Sequence, residues 1–238
     1  MAGTRALGID AAGRFGWVGV VVDDDGFVAA HLHPELATVI GEADAAAHRV
    51  GAEVAAVGVD IPVGLVDGPR RTADVAARAF VGPRRSSVFP APPRSAAGFA
   101  TQAEANAHLA AQGLPLLSAQ AAALLGRIRE AGAVARGDER IHEVFPEASF
   151  RQLAGAGLAH AKRSAAGALL RVRLLEQAEP AIVVPVEVGA AGAIPLDDLL
   201  DAAAAAWSAR RCALGTALAF GDPEELDVDT GRRIAMWV

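Results

Sequence analysis

Two aspartates follow short apolar runs that have the composition of buried strands. Asp10 comes directly after LGI at positions 7–9, and Asp60 comes directly after VGV at positions 57–59. Aspartate is common at strand ends because it favours turns. Two carboxylates at the ends of neighbouring buried strands also supply the oxygen ligands that Mg²⁺ and similar hard cations prefer. We interpret the pair as half of a metal site.

A third carboxylate is expected from the last long helix, predicted over about 196–219, which begins near DDLLD at positions 197–201. Asp198 and Asp201 are three positions apart and therefore share one face of that helix. Acidic residues in a first turn compensate the helix dipole, which accounts for Asp197 and Asp198. Asp201 lies one turn further in, before an alanine run suited to close packing on a sheet. We expect Asp201 to be a metal ligand and keep Asp198 as a further candidate.

Two glutamates flank the segment EVFPE at positions 143–147. Glu143 ends a strand predicted over 140–144, whereas Glu147 follows Pro146 and could simply be a first-turn residue of the next helix. Both are candidates for the acidic site, and the position at a strand end favours Glu143.

Basic residues crowd the segment that follows Asp60, and a second basic group precedes the later helices. Guanidinium groups bind phosphate oxygens through paired hydrogen bonds, and lysine acts as a point charge. We expect Arg84, Arg85 and Lys162 to bind substrate phosphates, although a solvated surface would have the same composition. The two groups are Arg70, Arg71, Arg78, Arg84, Arg85 and Arg94, and then Lys162, Arg163 and Arg171.

The elements that must position these residues follow from periodicity and turn signals. Strands predicted over 4–10, 15–22 and 27–33 are joined by tight turns and predict an antiparallel meander. A helix over 35–49 leads to a strand over 53–60, and such a crossover predicts a parallel pairing. Positions 61–98, rich in proline and arginine, predict an extended strap rather than a helix. Further helices are predicted over 101–112, 118–133 and 164–178, and a short edge strand over 232–238.

Composition excludes several classes of protein. The 238 residues are 53% hydrophobic, which predicts one globular domain over 1–238 with an insertion at about 61–138. Neither a membrane-spanning run nor a signal-peptide pattern is found in the sequence, so we expect a cytoplasmic protein without membrane partners. A single cysteine excludes a disulfide framework and a thiolate metal site. The net charge of −6 gives no overall attraction to nucleic acid, although a local basic strip could still bind it.

The predicted order β-β-β-α-β-insertion-β-α, with acidic residues at strand ends, is typical of the ribonuclease H-like fold. It predicts a mixed five-stranded sheet, three antiparallel strands and then parallel ones, flanked by helices. Six motifs also resemble domain-of-unknown-function family 429, from about residue 5 to the C-terminus. They are GID at 8–10, GW at 16–17, VDIPVGL at 59–65, RRSSVFPAP at 84–92, EVFPE at 143–147 and DA at 201–202. That family is described as predicted nucleases with a ribonuclease H-like fold.

The resemblance and the acidic residues together imply a metal-dependent nuclease. Asp10, Asp60 and Asp201, with Glu143 or Asp198, would hold one or two Mg²⁺ or Mn²⁺ ions, which activate water and stabilise the leaving oxygen. The expected partner is a nucleic acid; the sequence does not distinguish DNA, RNA or a small phosphoester, nor an oligomeric state. Two alternatives stay open. One is an ATP-dependent phosphotransferase of the sugar-kinase and actin type, and the other is a non-catalytic nucleic-acid or protein-interaction module.

Overall fold

A mixed sheet forms the centre of the protein in the computed structural model, which describes residues 4–238. Its strands are β1 Thr4–Ala11, β2 Trp17–Asp23, β3 Gly26–His33, β4 Glu53–Val59, β5 Ile141–Val144, β6 Ala219–Phe220 and β7 Met236–Trp237. Their order in the sheet is β3-β2-β1-β4-β5-β7-β6. The pairs β1–β2 and β2–β3 are antiparallel, β1–β4, β4–β5 and β5–β7 are parallel, and β6 is antiparallel to β7.

Helices cover both faces of this sheet. They are α1 Leu36–His48, α2 Thr72–Val81, α3 Gln102–Ala111, α4 Ala119–Ala123, α5 Leu125–Ala135, α6 Pro146–Ala154, α7 Ala165–Glu176 and α8 Leu196–Ala213. One face packs against α6, α7 and α8 through a core that includes Val18, Val20, Phe150 and Leu175. The opposite face packs against α1 and α5 through a second core. None of the helices within 4–238 is long and apolar enough to cross a membrane.

Helix α8 lies unusually close to the middle of the sheet because two paired strand residues lack side chains. Gly8 of β1 and Gly58 of β4 are register partners. A Cβ atom on Gly8 would lie 1.9 Å from the Ala206 nitrogen and 2.2 Å from the Ala202 oxygen. On the helix side, residues 202–206 are all alanine and all buried. This approach places the first half of α8 against the strand ends that carry Asp10 and Asp60.

The structure confirms the mixed sheet and its first four strands. The antiparallel meander, the helical crossover and the parallel β1–β4 pair are present as predicted. The predicted tail strand forms as β7 beside β5, but it is not the edge of the sheet, and the predicted number of five strands is wrong because the two-residue β6 pairs beyond β7. A strand of two residues such as β6 leaves no periodic pattern in the sequence. Helix α8 also ends earlier than predicted, at Ala213, where Gly215 has φ +68° and follows the C-cap.

The predicted extended strap over 61–98 is wrong for half of its length. It contains α2 and a 3₁₀ helix over Gly82–Ser87. Helix α2 forms because Ala73, Ala77 and Val81 recur at helical spacing and are buried. Pro83 is the second residue of the 3₁₀ helix, where its missing N–H would have no partner. Residues 88–93 lie between this helix and a second 3₁₀ helix, Arg94–Ala96, and are not helical; from here on the name strap means residues 88–93 only.

Candidate functional site

Three carboxylates converge at the carboxyl ends of the central strands. One oxygen from each of Asp10, Asp60 and Asp201 lies within 4.8 Å of the other two. Asp10 and Asp201 are only 7% and 3% exposed, and Asp60 is half-buried. We call these three residues the acidic triad. Buried acidic side chains at this spacing repel one another unless a cation or a proton separates them.

Local structure explains why the triad side chains meet. Successive side chains of a strand alternate between faces, so Asp10 lies on the same face of β1 as Gly8, which contacts α8. Asp60 follows β4 directly, and its N–H donates to the Ile9 carbonyl at 2.9 Å, which holds this turn against β1. Asp201 immediately precedes the alanines of α8 that contact Gly8.

A single lysine partly balances the acidic triad. Lys162 Nζ lies 2.5 Å from Asp201 Oδ2 and 3.9 Å from Asp197 Oδ2. Burial alone would lower the pKa of Lys162, but attraction to Asp201, Asp10 and Asp60 outweighs it and raises that pKa. If all three triad carboxylates were ionised, one ammonium would leave the cluster with two uncompensated negative charges.

The raised pKa values of the triad show that this arrangement disfavours the ionised form of its carboxylates. Burial raises the pKa of Asp60 to about 8, and the charge of Asp201 adds to the effect. Burial raises the pKa of Asp201 to about 6, although Lys162 opposes the rise. The pKa of Asp10 is also well above its usual value because of burial and the charge of Asp60. An oxygen-rich cluster with excess negative charge fits a divalent cation, which would remove the repulsion.

The triad lines an open cavity of about 460 Å³. Asp198, Lys162 and Arg163 line it on the side of α8 and α7, and residues 88–92 of the strap line it on another side. Phe89 of the strap is 40% exposed, whereas the triad is much more buried. The carboxylates therefore form the inner end of the cavity, and Phe89 and Arg163 belong to its rim.

Glu143 borders the cavity but is not part of the triad. Its two oxygens accept hydrogen bonds from Arg71 Nη1 and Nη2, both at 2.7 Å. Glu143 Oε2 also accepts the Val63 N–H at 2.9 Å. Arg71 is 1% exposed and bonds Asp74 as well. Both oxygens of the glutamate that the sequence favoured are therefore occupied within a buried ion pair.

Glu147 has the free oxygen that Glu143 lacks. It lies in the first turn of α6 and lines the cavity. Its Oε2 accepts a hydrogen bond from Arg171 Nη2 at 2.6 Å. Its Oε1 is buried without a hydrogen-bond partner among the described residues, and Arg84 Nε is 3.9 Å away. Of the two glutamates, Glu147 is the one with an oxygen that accepts no hydrogen bond among the described residues.

The predicted phosphate-binding residues separate in the structure. Lys162 lines the cavity, whereas Arg84 and Arg85 do not. Arg84 Nε donates to the Leu158 carbonyl at 3.3 Å, and Arg85 is exposed on the 3₁₀ helix. Arg71 and Arg171 belong to buried ion pairs and are closed to a substrate.

Sequence reasoning missed three features of the site. The Arg71–Glu143 pair joins residues 72 positions apart, and no local pattern connects them. The Lys162–Asp201 contact and the position of Phe89 on the cavity rim depend on packing in the same way. The PxP spacing directly after Phe89 was the one available signal, because it indicates a segment with a restricted backbone.

Comparison with protein families gives one result that covers most of the chain. The family model described as "Protein of unknown function (DUF429)" matches residues 8–226, a range that includes the whole acidic triad. Comparison with curated proteins and with solved structures gave no match. The chain belongs to the DUF429 family.

Proposed function

We propose that this protein is a metal-dependent nuclease that hydrolyses phosphodiester bonds. The observation that carries the proposal is the convergence of Asp10, Asp60 and Asp201, with oxygens within 4.8 Å of one another at the inner end of a cavity. Their raised pKa values fit a site whose charge is balanced by a bound cation rather than by the protein alone.

The triad would hold one or two Mg²⁺ or Mn²⁺ ions, and Asp198 lies on the same cavity wall. A bound ion of this kind supplies Lewis-acid stabilisation and lowers the pKa of its water. The chain contributes the negative charge that attracts the ion and the rigid strand ends that orient the carboxylates.

Two other residues would act on the substrate directly. Lys162 places an ammonium at the carboxylates, where it favours an anionic phosphate entering the cavity. Glu147 offers a free Oε1 that can accept a proton from water or from a substrate hydroxyl, while Arg171 holds its Oε2. Glu143 has a supporting role, because its bond to Val63 N–H restrains the segment that follows Asp60.

The test is Mn²⁺-dependent cleavage of labelled DNA and RNA by the purified protein and by Asp10→Asn. The substitution keeps the size of the side chain but removes its charge. Loss of a residue that only orients a metal ligand typically lowers activity about 10- to 100-fold, so we expect loss of the ligand itself to lower the cleavage rate by more than about 100-fold. Asp67→Asn is the matched control, because Asp67 is an exposed aspartate paired with Arg94 away from the cavity. Unchanged cleavage by Asp10→Asn would contradict the proposal.

Binding measurements on the same protein, together with the cleavage assay, separate the two alternative functions. Binding of ATP without cleavage of nucleic acid would favour a phosphotransferase. Binding of Mn²⁺ without turnover of any substrate would favour a non-catalytic module. Calorimetric titration with Mn²⁺ and with ATP provides both readouts independently of activity.

A further inference from the structure

The position of the acidic triad limits which phosphodiesters can reach it. Asp10 and Asp201 are 7% and 3% exposed, and they lie at the inner end of a cavity of about 460 Å³. Sites for small ligands are roughly 300–1,000 Å³ in volume, so this cavity is on the scale of one nucleotide. A phosphate inside a continuous duplex is flanked on both sides by further backbone and cannot enter a cavity of this size.

The charges around the cavity also disfavour the binding of a long nucleic acid. Among the described residues that line it, only Lys162 and Arg163 are basic. Glu143 and Glu147 are paired with buried arginines, and the remaining acidic lining residues still outnumber the basic ones: Asp10, Asp60, Asp198 and Asp201. Proteins that bind along a duplex commonly neutralise about 6–10 phosphates. The arginines predicted to supply such contacts, Arg84 and Arg85, do not line the cavity.

The strap supplies a surface suited to one base. Arg78 Nη1 donates to the Val88 carbonyl at 2.6 Å, and the Ala91 N–H donates to Asp74 Oδ2 at 2.9 Å. Both of these side chains come from α2, so the backbone on each side of Phe89 is held. Phe89 is nevertheless 40% exposed on the cavity rim. A fixed backbone that presents an exposed ring is a platform on which any base can stack.

We infer that the site takes a nucleotidyl phosphodiester with a free end, whose single base stacks on Phe89 while its phosphate reaches the triad. This inference rests on the proposed nuclease function and specifies its substrate class. The substrate is the terminal nucleotide of a single strand or a mononucleotide ester, which share this chemistry. The interior of a duplex and a closed single-stranded circle are excluded.

The experiment compares Mn²⁺-dependent hydrolysis of four substrates of matched sequence or base. They are a linear single-stranded oligonucleotide, its covalent circle, a duplex closed by a hairpin at each end, and thymidine 5′-monophosphate p-nitrophenyl ester. DNA and RNA versions of the strands are both used. We expect hydrolysis of the linear strand, of the ester, or of both, with products one nucleotide long. The circle and the duplex should be hydrolysed at least about 100-fold more slowly, because their phosphates cannot reach the triad.

The outcomes distinguish this inference from the proposed function. Hydrolysis of the circle or the duplex at the rate of the linear strand overturns the inference and leaves the nuclease proposal standing. Hydrolysis of none of the four substrates overturns both. Hydrolysis of the ester alone identifies the substrate as a small phosphoester, and hydrolysis of the linear strand alone identifies it as the end of a single strand.

Phe89 variants test the stacking step separately. Stacking of a base on an aromatic ring corresponds to roughly a 5- to 150-fold change in binding, so Phe89→Ala should raise KM about 10-fold or more and change kcat less. Phe89→Trp should retain the KM of the unmodified protein. Leu116→Ala is the matched control, because Leu116 is 60% exposed and does not line the cavity. An unchanged KM in Phe89→Ala overturns the assignment of the base to this ring.

Discussion

At the scale of single residues, the site is dominated by carboxylates that resist ionisation. Burial is the main reason that the pKa values of Asp60 and Asp201 reach about 8 and about 6; the charge of Asp201 adds to the rise at Asp60, whereas Lys162 opposes the rise at Asp201. In the unfolded chain an aspartate titrates near 3.9. The folded protein without metal therefore keeps protons, between about pH 4 and pH 8, that the unfolded chain has released.

This difference predicts how stability depends on pH. Because the folded state binds more protons in this window, the free energy of unfolding should fall as pH rises from about 4 to 8. Asp60→Asn removes a group whose pKa reaches about 8 and should flatten this fall, with a gain of about 1–3 kcal/mol at pH 8. Urea unfolding of both proteins in EDTA at several pH values measures the effect. Parallel pH profiles for the two proteins would contradict the prediction.

The buried ion pair of Arg71 and Glu143 makes a second prediction at this scale. Glu143→Ala leaves the guanidinium buried without its main partner, so we expect the free energy of unfolding to fall by about 3–5 kcal/mol. Asp67→Ala breaks an exposed pair with Arg94 and should cost about 1 kcal/mol or less. Urea unfolding in EDTA compares them. Equal stability losses in the two variants would mean that the Arg71 pair is not structural.

At the scale of elements, the site depends on how closely α8 approaches β1. The paired glycines of β1 and β4 and the alanine run of α8 act together, since either one alone would leave a gap or a clash. This approach determines where Asp201 lies relative to Asp10. A change in the helix–sheet distance should therefore affect the proposed metal site without altering any carboxylate.

Gly8→Ala tests this dependence. Its added methyl group would lie 1.9 Å from the Ala206 nitrogen, which belongs to a backbone that can move only if the whole helix moves. We expect a stability loss of about 3 kcal/mol and weaker Mn²⁺ binding by calorimetry. Gly41→Ala is the control, because it adds the same group within α1 where nothing lies within 4 Å. It should be neutral or stabilise by about 0.5–1 kcal/mol. Wild-type Mn²⁺ affinity in a folded Gly8→Ala protein would contradict the argument.

At the scale of the whole molecule, the acidic triad joins three distant parts of the chain. Asp10 ends β1, Asp60 follows β4, and Asp201 belongs to α8. A cation bound to all three would link these parts in the folded state only. Binding to the folded state alone stabilises it by about 2.7 kcal/mol when the free ligand is at 100 times Kd.

We therefore expect Mn²⁺ to raise Tm in a concentration-dependent manner. The rise should be larger at pH 8 than at pH 5, because protons compete with the ion for the triad carboxylates. Asp201→Asn should remove most of it, and Asp67→Asn should not. Differential scanning fluorimetry with and without EDTA measures the shifts. An equal rise in Tm for Asp201→Asn would show that Mn²⁺ stabilises the protein elsewhere.

The sequence by itself determined the parts of this protein that depend on local pattern. Apolar runs, turn signals and a crossover helix were sufficient for the meander and the parallel β1–β4 pair. They were also sufficient to place Asp10 and Asp60 at neighbouring strand ends, since parallel strands end at the same edge of a sheet. The position of Asp201 one turn into an alanine-rich helix identified the third residue that the structure brings to this edge.

Only the tertiary structure decided how the remaining side chains are paired. Arg71 occupies both oxygens of Glu143, whereas Glu147 keeps one oxygen free, although the sequence favoured the first glutamate. Lys162 lies at Asp201, while Arg84 and Arg85 lie away from the cavity. The physical reason is that a buried charge must find a partner wherever packing brings one close. Partners such as residues 71 and 143 are close in space but far apart in the chain, so no local pattern specifies them.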